Sequence, residues 1–238
     1  MWEVYSITLF GSENLKRCLA LILCLSLLQL PVSAMPKEKL IALTFDDGPS
    51  GRYTQRLLNG LAERNVKATF LLCGYRMELY PELTEKIHKL GHEIGLHGYS
   101  HKTLEHSCRE GVQQEIQKNM ELIPDGCEIS FFRTPGGLCN KEVMEVAREN
   151  ELSILLWSVD PKDWAVHDVA AITNQVVSQA KDGDVILMHD MSDSSVDAAL
   201  AIIDHLQKRG YRFVTASQLA TEKNVTLIPG FEYRCFPS

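Results

Sequence analysis

Apolar runs that read as buried strands recur near residues 40–45, 67–73, 92–97, 129–133, 152–159, 184–188 and 211–214. Between them lie segments with helical spacing, near 53–64, 81–90, 109–122, 140–150, 167–181 and 194–209. Such an alternation predicts a parallel sheet, because parallel neighbours need long crossovers and the crossover helices cover the sheet. Residues 141–147 space their apolar side chains for one helix face, whereas Ser153-Ile154-Leu155-Leu156-Trp157 is a continuous buried-strand run. Asn65, Gly91, Asn150 and Gly210 stand where such helices end. Seven units in roughly 200 residues suit an α/β barrel slightly smaller than the eightfold kind. The competing architecture is a doubly wound open sheet. No Gly-rich phosphate loop follows the first strand, which disfavours the nucleotide-binding version of that sheet.

The polar residues at the strand ends are of unusual type. The first strand ends in Asp46-Asp47 and is then broken by Gly48-Pro49. Two adjacent carboxylates at a buried strand end are costly unless a cation shares them. The third strand runs into His97-Gly98-Tyr99-Ser100-His101, the fourth into Arg133-Thr134-Pro135-Gly136-Gly137, the fifth into Asp160-Pro161-Lys162-Asp163-Trp164 and the sixth into His189-Asp190. In a parallel barrel these ends open on one face, so the groups converge without being sequence neighbours.

His97 and His101 are four residues apart, and with one carboxylate they make a three-ligand zinc site with open positions. The place of an intervening glutamate base is taken by Gly98, so a base must come from elsewhere; Asp46, beside the ligand Asp47, is the natural candidate. Arg133 is placed to pair with Asp46. His189, steered by Asp163, could serve as imidazolium acid for a departing amine. A backbone N–H of the Gly136-Gly137 turn could bind an oxyanion, and Trp164 and Leu187 could wall a small acyl group. Asp160 reads as a turn cap, Asp190 as a surface residue or one supporting the site from behind, Trp157 as core, and His88, His92, His106, His167 and His205 as solvated.

These motifs, Thr44-Phe45-Asp46-Asp47-Gly48-Pro49, His97-x-x-x-His101, Arg133-x-Pro135, Asp160-x-x-Asp163-Trp164 and Leu187-Met188-His189, resemble the five ordered motifs of the polysaccharide deacetylases. That family is carbohydrate esterase family 4, the NodB-homology domain, and the resemblance spans about residues 38–220. It implies a distorted (β/α)7 barrel and hydrolysis of acetyl groups on polysaccharides with zinc or another divalent ion such as cobalt. By motif match it makes Asp46 the base, Asp47, His97 and His101 the metal ligands, and His189 the acid. Arg133 and Asp163 tune base and acid, and Pro135, Gly136, Gly137, Trp164 and Leu187 border the substrate. Two positions depart from the family pattern. Gly98 stands where a serine or threonine is usual, removing a hydroxyl that braces the metal loop, and Gly136 where an aromatic is common.

The first 34 residues differ in character. Lys16 and Arg17 precede an apolar stretch over 18–30, then Pro31-Val32-Ser33-Ala34, which reads as a secretory leader cut after Ala34 or an uncleaved anchor. The catalytic domain would then be 35–238, in a secreted or envelope setting. Cys73, Cys108, Cys127, Cys139 and Cys235 follow, an odd number; Cys108 with Cys127 is one pairing option, and none has the spacing of a thiolate zinc site. A net charge of -7 argues against nucleic acid or an anionic membrane as partner. The expected partner is a polysaccharide, peptidoglycan or a chitin-like polymer, handled by a monomer. The alternatives are an O-acetyl esterase of the xylan type with the same site, and a non-catalytic glycan-binding envelope protein.

Overall fold

In the computed structural model, residues 38–237 are described; the leader or anchor expected over 1–34 lies outside them. Among the described residues, no helix is long and apolar enough to cross a membrane. Strand β1 (Lys39–Asp46) is followed by helix α1 (Arg52–Glu63), β2 (Thr69–Leu72), α2 (Gly74–Leu79), α3 (Pro81–Lys89) and β3 (Glu93–Leu96). Then come α4 (Arg109–Met120), β4 (Phe131–Phe132), a 3₁₀ turn (Pro135–Gly137), α5 (Lys141–Glu149) and β5 (Ser153–Leu155). The chain continues through α6 (Val169–Gln179), β6 (Val185–His189), α7 (Asp193–Lys208), β7 (Tyr211–Val214), α8 (Ala216–Glu222) and β8 (Glu232–Tyr233).

All named pairings are parallel, in the order β6-β1-β2-β3-β4-β5-β8. Single bridges Val159–Ile186 and Asp184–Cys235 draw the two ends of that path together. Strand β7 pairs with the first half of β1, Lys39 to Ala42, while β2 pairs with Thr44 to Asp46. Ala42 is opposite both Val214 and Val185, so β7 and β6 lie on different edges of β1 and β7 shares its edge with β2. The sheet is thus a curled, distorted barrel, as the alternation of strands and helices predicted. Two helices (α2 and α8) and strand β8 add to that expectation. Gln218 caps α8 reciprocally with Thr215, a local signal for this helix that the strand–helix rhythm passes over.

Period-two alternation along the strands decides what lies inside. Ile41, Leu43 and Phe45 of β1 pack outward with Leu57, Leu58 and Leu61 of α1 and Ile202 of α7, whereas Leu40 and Ala42 pack with Leu71, Phe131, Leu155 and Val185. Thr44 and Asp46 therefore continue the inner row toward the C-terminal mouth. On β6 the same rule sends Val185, Leu187 and His189 inward. The inner space is tight: a Cβ at Gly95 would sit 2.5 Å from Leu71 Cδ1 and 3.0 Å from the Phe131 carbonyl oxygen. His92, expected to be solvated, is buried; its Nδ1 accepts from the Ala68 N–H and its ring meets Phe70 edge-on. All five cysteines from Cys73 to Cys235 are free, so the Cys108–Cys127 pair is not formed.

Candidate metal centre and active-site groove

The inner rows end in one groove of about 390 Å³, lined by Asp46, Asp47, His97, His101, Gly136, Trp157, Asp160, Trp164, Leu187 and His189. Asp46 and His189 are register partners on neighbouring strands, so the expected base and acid stand side by side at the mouth. Asp46 is buried, and its Oδ1 accepts from Arg133 Nη1 at 2.6 Å. Arg133 is fully buried, and each of its three nitrogens has a partner: Nη1 also reaches Thr44 Oγ1, Nε the Leu155 carbonyl and Nη2 the Leu156 carbonyl. A buried guanidinium is tolerated only when its charge and donors are matched in this way.

Asp47 leaves the strand in the left-handed region, φ 71°, and its carboxylate turns toward two imidazoles. Its Oδ1 lies 2.9 Å from His101 Nε2 and 3.3 Å from His97 Nε2. The donor atoms of Asp47, His97 and His101 lie within 4.8 Å of one another. Chemistry argues that a cation belongs among them. His97 Nδ1 lies 2.8 Å from the Arg133 carbonyl, which can only accept, so Nδ1 carries the proton. With Nδ1–H held there, Nε2 is the ring atom turned to Asp47 Oδ1 and, at 3.7 Å, to Asp46 Oδ2, where it can carry a proton or bind a metal ion. Asp47 Oδ1 is buried without a hydrogen-bond donor. Acceptors facing acceptors in a buried site are stable only around a positive charge, a proton or a metal ion. Burial opposes a charged Asp47, but contacts with His101 and His97 outweigh it and hold the carboxyl well below the usual range. Asp47 in turn raises the pKa of His101 against the opposing effect of burial.

On the other wall, Asp163 is fully buried and accepts twice from His189: from Nδ1–H at 2.8 Å and from the backbone N–H at 2.9 Å. Burial alone would lower the imidazolium pKa; the Asp163 hydrogen bond and charge reverse that and raise it to about 9. A ring whose Nδ1–H is held this way presents Nε2 to the groove.

The remaining expected residues divide. Trp164, 63% exposed, and buried Leu187 line the groove, as does Gly136. The Gly137 N–H is taken by the Thr134 carbonyl and its Cα packs beneath Trp157, so of the two glycines it is Gly136 that lines the groove. Pro135 is buried and does not line the groove. Trp157, expected in the core, is half-buried and forms part of the wall, 5.6 Å from the Arg133 guanidinium. Asp160 lines the rim while its Oδ1 caps the Lys162 N–H, so both roles coexist. Asp190, expected either at the surface or behind the site, is not at the surface: it is completely buried and holds the Thr54 hydroxyl.

The sequence pattern described as Polysaccharide deacetylase matches residues 33–155. The chain belongs to that family. It is 41% identical over 193 residues to a peptidoglycan-N-acetylglucosamine deacetylase of Bacillus cereus, an alignment covering 79% of this chain and 91% of the relative. The peptidoglycan-N-acetylmuramic acid deacetylase PdaC of Bacillus subtilis is 37% identical over 190 residues, 79% of this chain but 40% of PdaC. The chain therefore spans most of the first relative and about two-fifths of the second. Among solved structures, a family 4 acetyl xylan esterase from Clostridium thermocellum, in complex with a cobalt ion, superposes with a TM-score of 0.78 at 30% identity, covering 84% of this chain and all of that one. The chain is a hydrolase of carbon–nitrogen bonds other than peptide bonds. Family membership adds metal dependence, which the Asp47, His97 and His101 set accommodates.

Proposed function

We propose that this protein removes acetyl groups from the N-acetylated sugars of a cell-envelope polysaccharide, with peptidoglycan and its N-acetylglucosamine units the first choice. One observation carries the reading: Asp46, the Asp47, His97 and His101 set, and His189 converge on one groove at the strand ends. Peptidoglycan is favoured because both curated relatives described above are named for it, although they are named for different sugars of the polymer.

Asp47, His97 and His101 would hold the divalent ion, zinc in the first instance. The ion supplies Lewis acidity toward the acetyl carbonyl and makes water easier to deprotonate. Asp46, fixed through Oδ1 by Arg133, keeps Oδ2 free on the metal side to take a proton from the attacking water. As the water oxygen bonds to the acetyl carbon, negative charge gathers on the carbonyl oxygen, and the Gly136 N–H is the donor proposed for it. His189 gives its proton to the sugar nitrogen as the C–N bond breaks, and Asp163 stabilises the imidazolium before that transfer. The products are acetate and a free amino sugar. Trp164 and Trp157 offer apolar faces to the sugar, and Leu187 closes the acetyl end.

The second reading keeps the site and changes the bond, to an O-acetyl ester, because the structurally similar esterase shares the fold. Acetate release by the purified chain from peptidoglycan, chitin oligomers and acetylxylan, with zinc restored after chelation, separates the two. Release from the first two substrates supports the N-deacetylase, and release from acetylxylan alone the esterase. No release from any of them by folded, zinc-loaded protein sinks both and leaves a glycan-binding role. The segment 1–34 and the sugar-rich substrate together suggest export, with residues 35–238 as the catalytic domain.

A further inference from the structure

The two histidine ligands are held differently. His97 is locked by Nδ1–H to the Arg133 carbonyl, whereas among the described residues His101 Nδ1 has no hydrogen-bond partner and the ring is 41% exposed. His101 also sits in the left-handed region, φ 58°, a conformation that is strained for a non-glycine residue. Its ring can stay on the metal position only if the backbone of the 97–101 loop is held from outside.

That loop is gripped from two sides. On one side the Gly74 and Tyr75 N–H groups donate to the Gly98 and Tyr99 carbonyls at 3.0 and 2.9 Å. On the other, Glu115 of α4 takes both donors of Ser100, the residue immediately before His101: the backbone N–H with Oε2 and the hydroxyl with Oε1, each at 2.7 Å. Position 98 is shaped by the same carboxylate. Gly98 has φ 75°, and a Cβ there would stand 3.4 Å from Glu115 Oε2. The serine or threonine usual at this place is absent, and a carboxylate from α4 reaches into the loop.

We propose that Glu115, acting through Ser100, is the positioning residue for the His101 arm of the metal centre. The proposal rests on His101 being a ligand. A carboxylate that accepts from both the main chain and the side chain of one residue fixes that residue's orientation, and charge-assisted bonds of this kind are the strong ones. Its negative charge also lies close to a cation site, which favours the loaded state.

The test is zinc affinity of the full chain, measured without substrate by competition with a chromophoric chelator. Glu115→Ala is expected to weaken zinc binding at least about tenfold, the usual cost of removing an outer-sphere partner. At saturating zinc, turnover should return to near the parent value. Gln114→Ala, on the same helix but not touching the loop, and Ser100→Thr, which keeps the hydroxyl, should both bind zinc as the parent does. Parent-like affinity in Glu115→Ala overturns the clamp and leaves the metal centre standing. Absence of zinc binding in the parent chain overturns both. Should Glu115→Ala not fold, Ser100→Ala carries the test, since it removes the hydroxyl bond alone. A loss of about threefold or more is then expected, and no loss counts against the proposal.

Discussion

The two walls of the groove are built on opposite principles. On the wall proposed for acid–base chemistry, Asp46 and His189 lie on adjacent strands and each is tied to a buried, hydrogen-bonded partner, Arg133 and Asp163. On the metal wall, Asp47 and His101 lie on loops, both at positive φ, and buried acceptors face one another without donors. The first wall is organised by the protein alone. On the proposed reading the second is completed by an ion, so its geometry and its stability would depend on what occupies it. Two kinds of perturbation should therefore behave differently: those that remove a proton carrier without touching the metal, and those that remove the metal without touching the proton carriers.

The largest expected effect is Asp46→Asn. The amide cannot take a proton, so deacetylation should fall at least about 10³-fold, within the span typical of general-base removal. Zinc affinity should stay within a few-fold, because Asp46 faces the metal side at 3.7 Å from His97 without belonging to the ligand set. Paired measurements of acetate release and zinc binding check this. Loss of both together would erase the distinction between the walls and make Asp46 a ligand.

Asp163→Asn should come next, with about a 10²-fold fall in kcat and a displaced pH profile. Asp163 raises His189 to about 9, so the proton-donating form persists at neutral pH and is lost as pH rises through that value. Without the carboxylate, the burial that opposes charge is left unmatched, and the alkaline limb should move toward lower pH. Buffer-independent rates between pH 6 and 10 decide it. An unmoved limb would assign that limb to another group.

Much of this contrast was legible in the sequence, and the illegible part has a physical pattern. Alternating strands and helices fix the fold class, and period-two alternation carries Asp46, Arg133 and His189 inward without any reference to the fold's details. The motif residues that reach the groove directly, Asp47, His97, His101, Trp164 and Leu187, were all visible as residue types at strand ends. Partners contributed from elsewhere were not. Glu115 lies on a helix whose pattern of charges reads as an ordinary solvated face, and nothing local shows that it meets Ser100. Asp190 reads as polar and follows a strand, yet a Cβ at Gly48 would come 2.7 Å from its Oδ1, so the turn after Asp47 closes over it. Trp157 reads as core because its strand is apolar, and only curvature of the sheet brings its ring to the groove. In each case the missing information is a long-range packing contact.

Removing the metal should affect stability as well as rate. A ligand that binds only the folded state at about one hundred times its Kd contributes about 2.7 kcal/mol. Chelation should therefore lower the melting temperature and abolish acetate release together, and readdition of zinc should restore both. A melting temperature unchanged by chelation, in a chain shown to bind zinc, would mean that the ligands are held as firmly empty as full, which the unmatched acceptors of the metal wall argue against.

The smallest effect should come from Asp190, a fully buried carboxylate beside the groove whose Oδ1 has no hydrogen-bond partner. Burial pushes its pKa up to about 6 from 3.8, against the Thr54 hydrogen bond. The folded state thus holds this proton more tightly than the unfolded chain. Stability from this group is fully present below the unfolded value near 4 and is lost as pH rises through about 6, a change of about 2–3 kcal/mol. Asp190→Asn removes the titration but keeps an oxygen for Thr54. In urea unfolding of the metal-free protein, the gap in stability between pH 4 and pH 8 should narrow in the variant, mostly by a gain at pH 8. An equal loss at both pH values would show instead that Asp190 works as a charge in this site, tying the turn after Asp47 to the end of β6 and making the metal wall, too, a structure the protein prepares in advance.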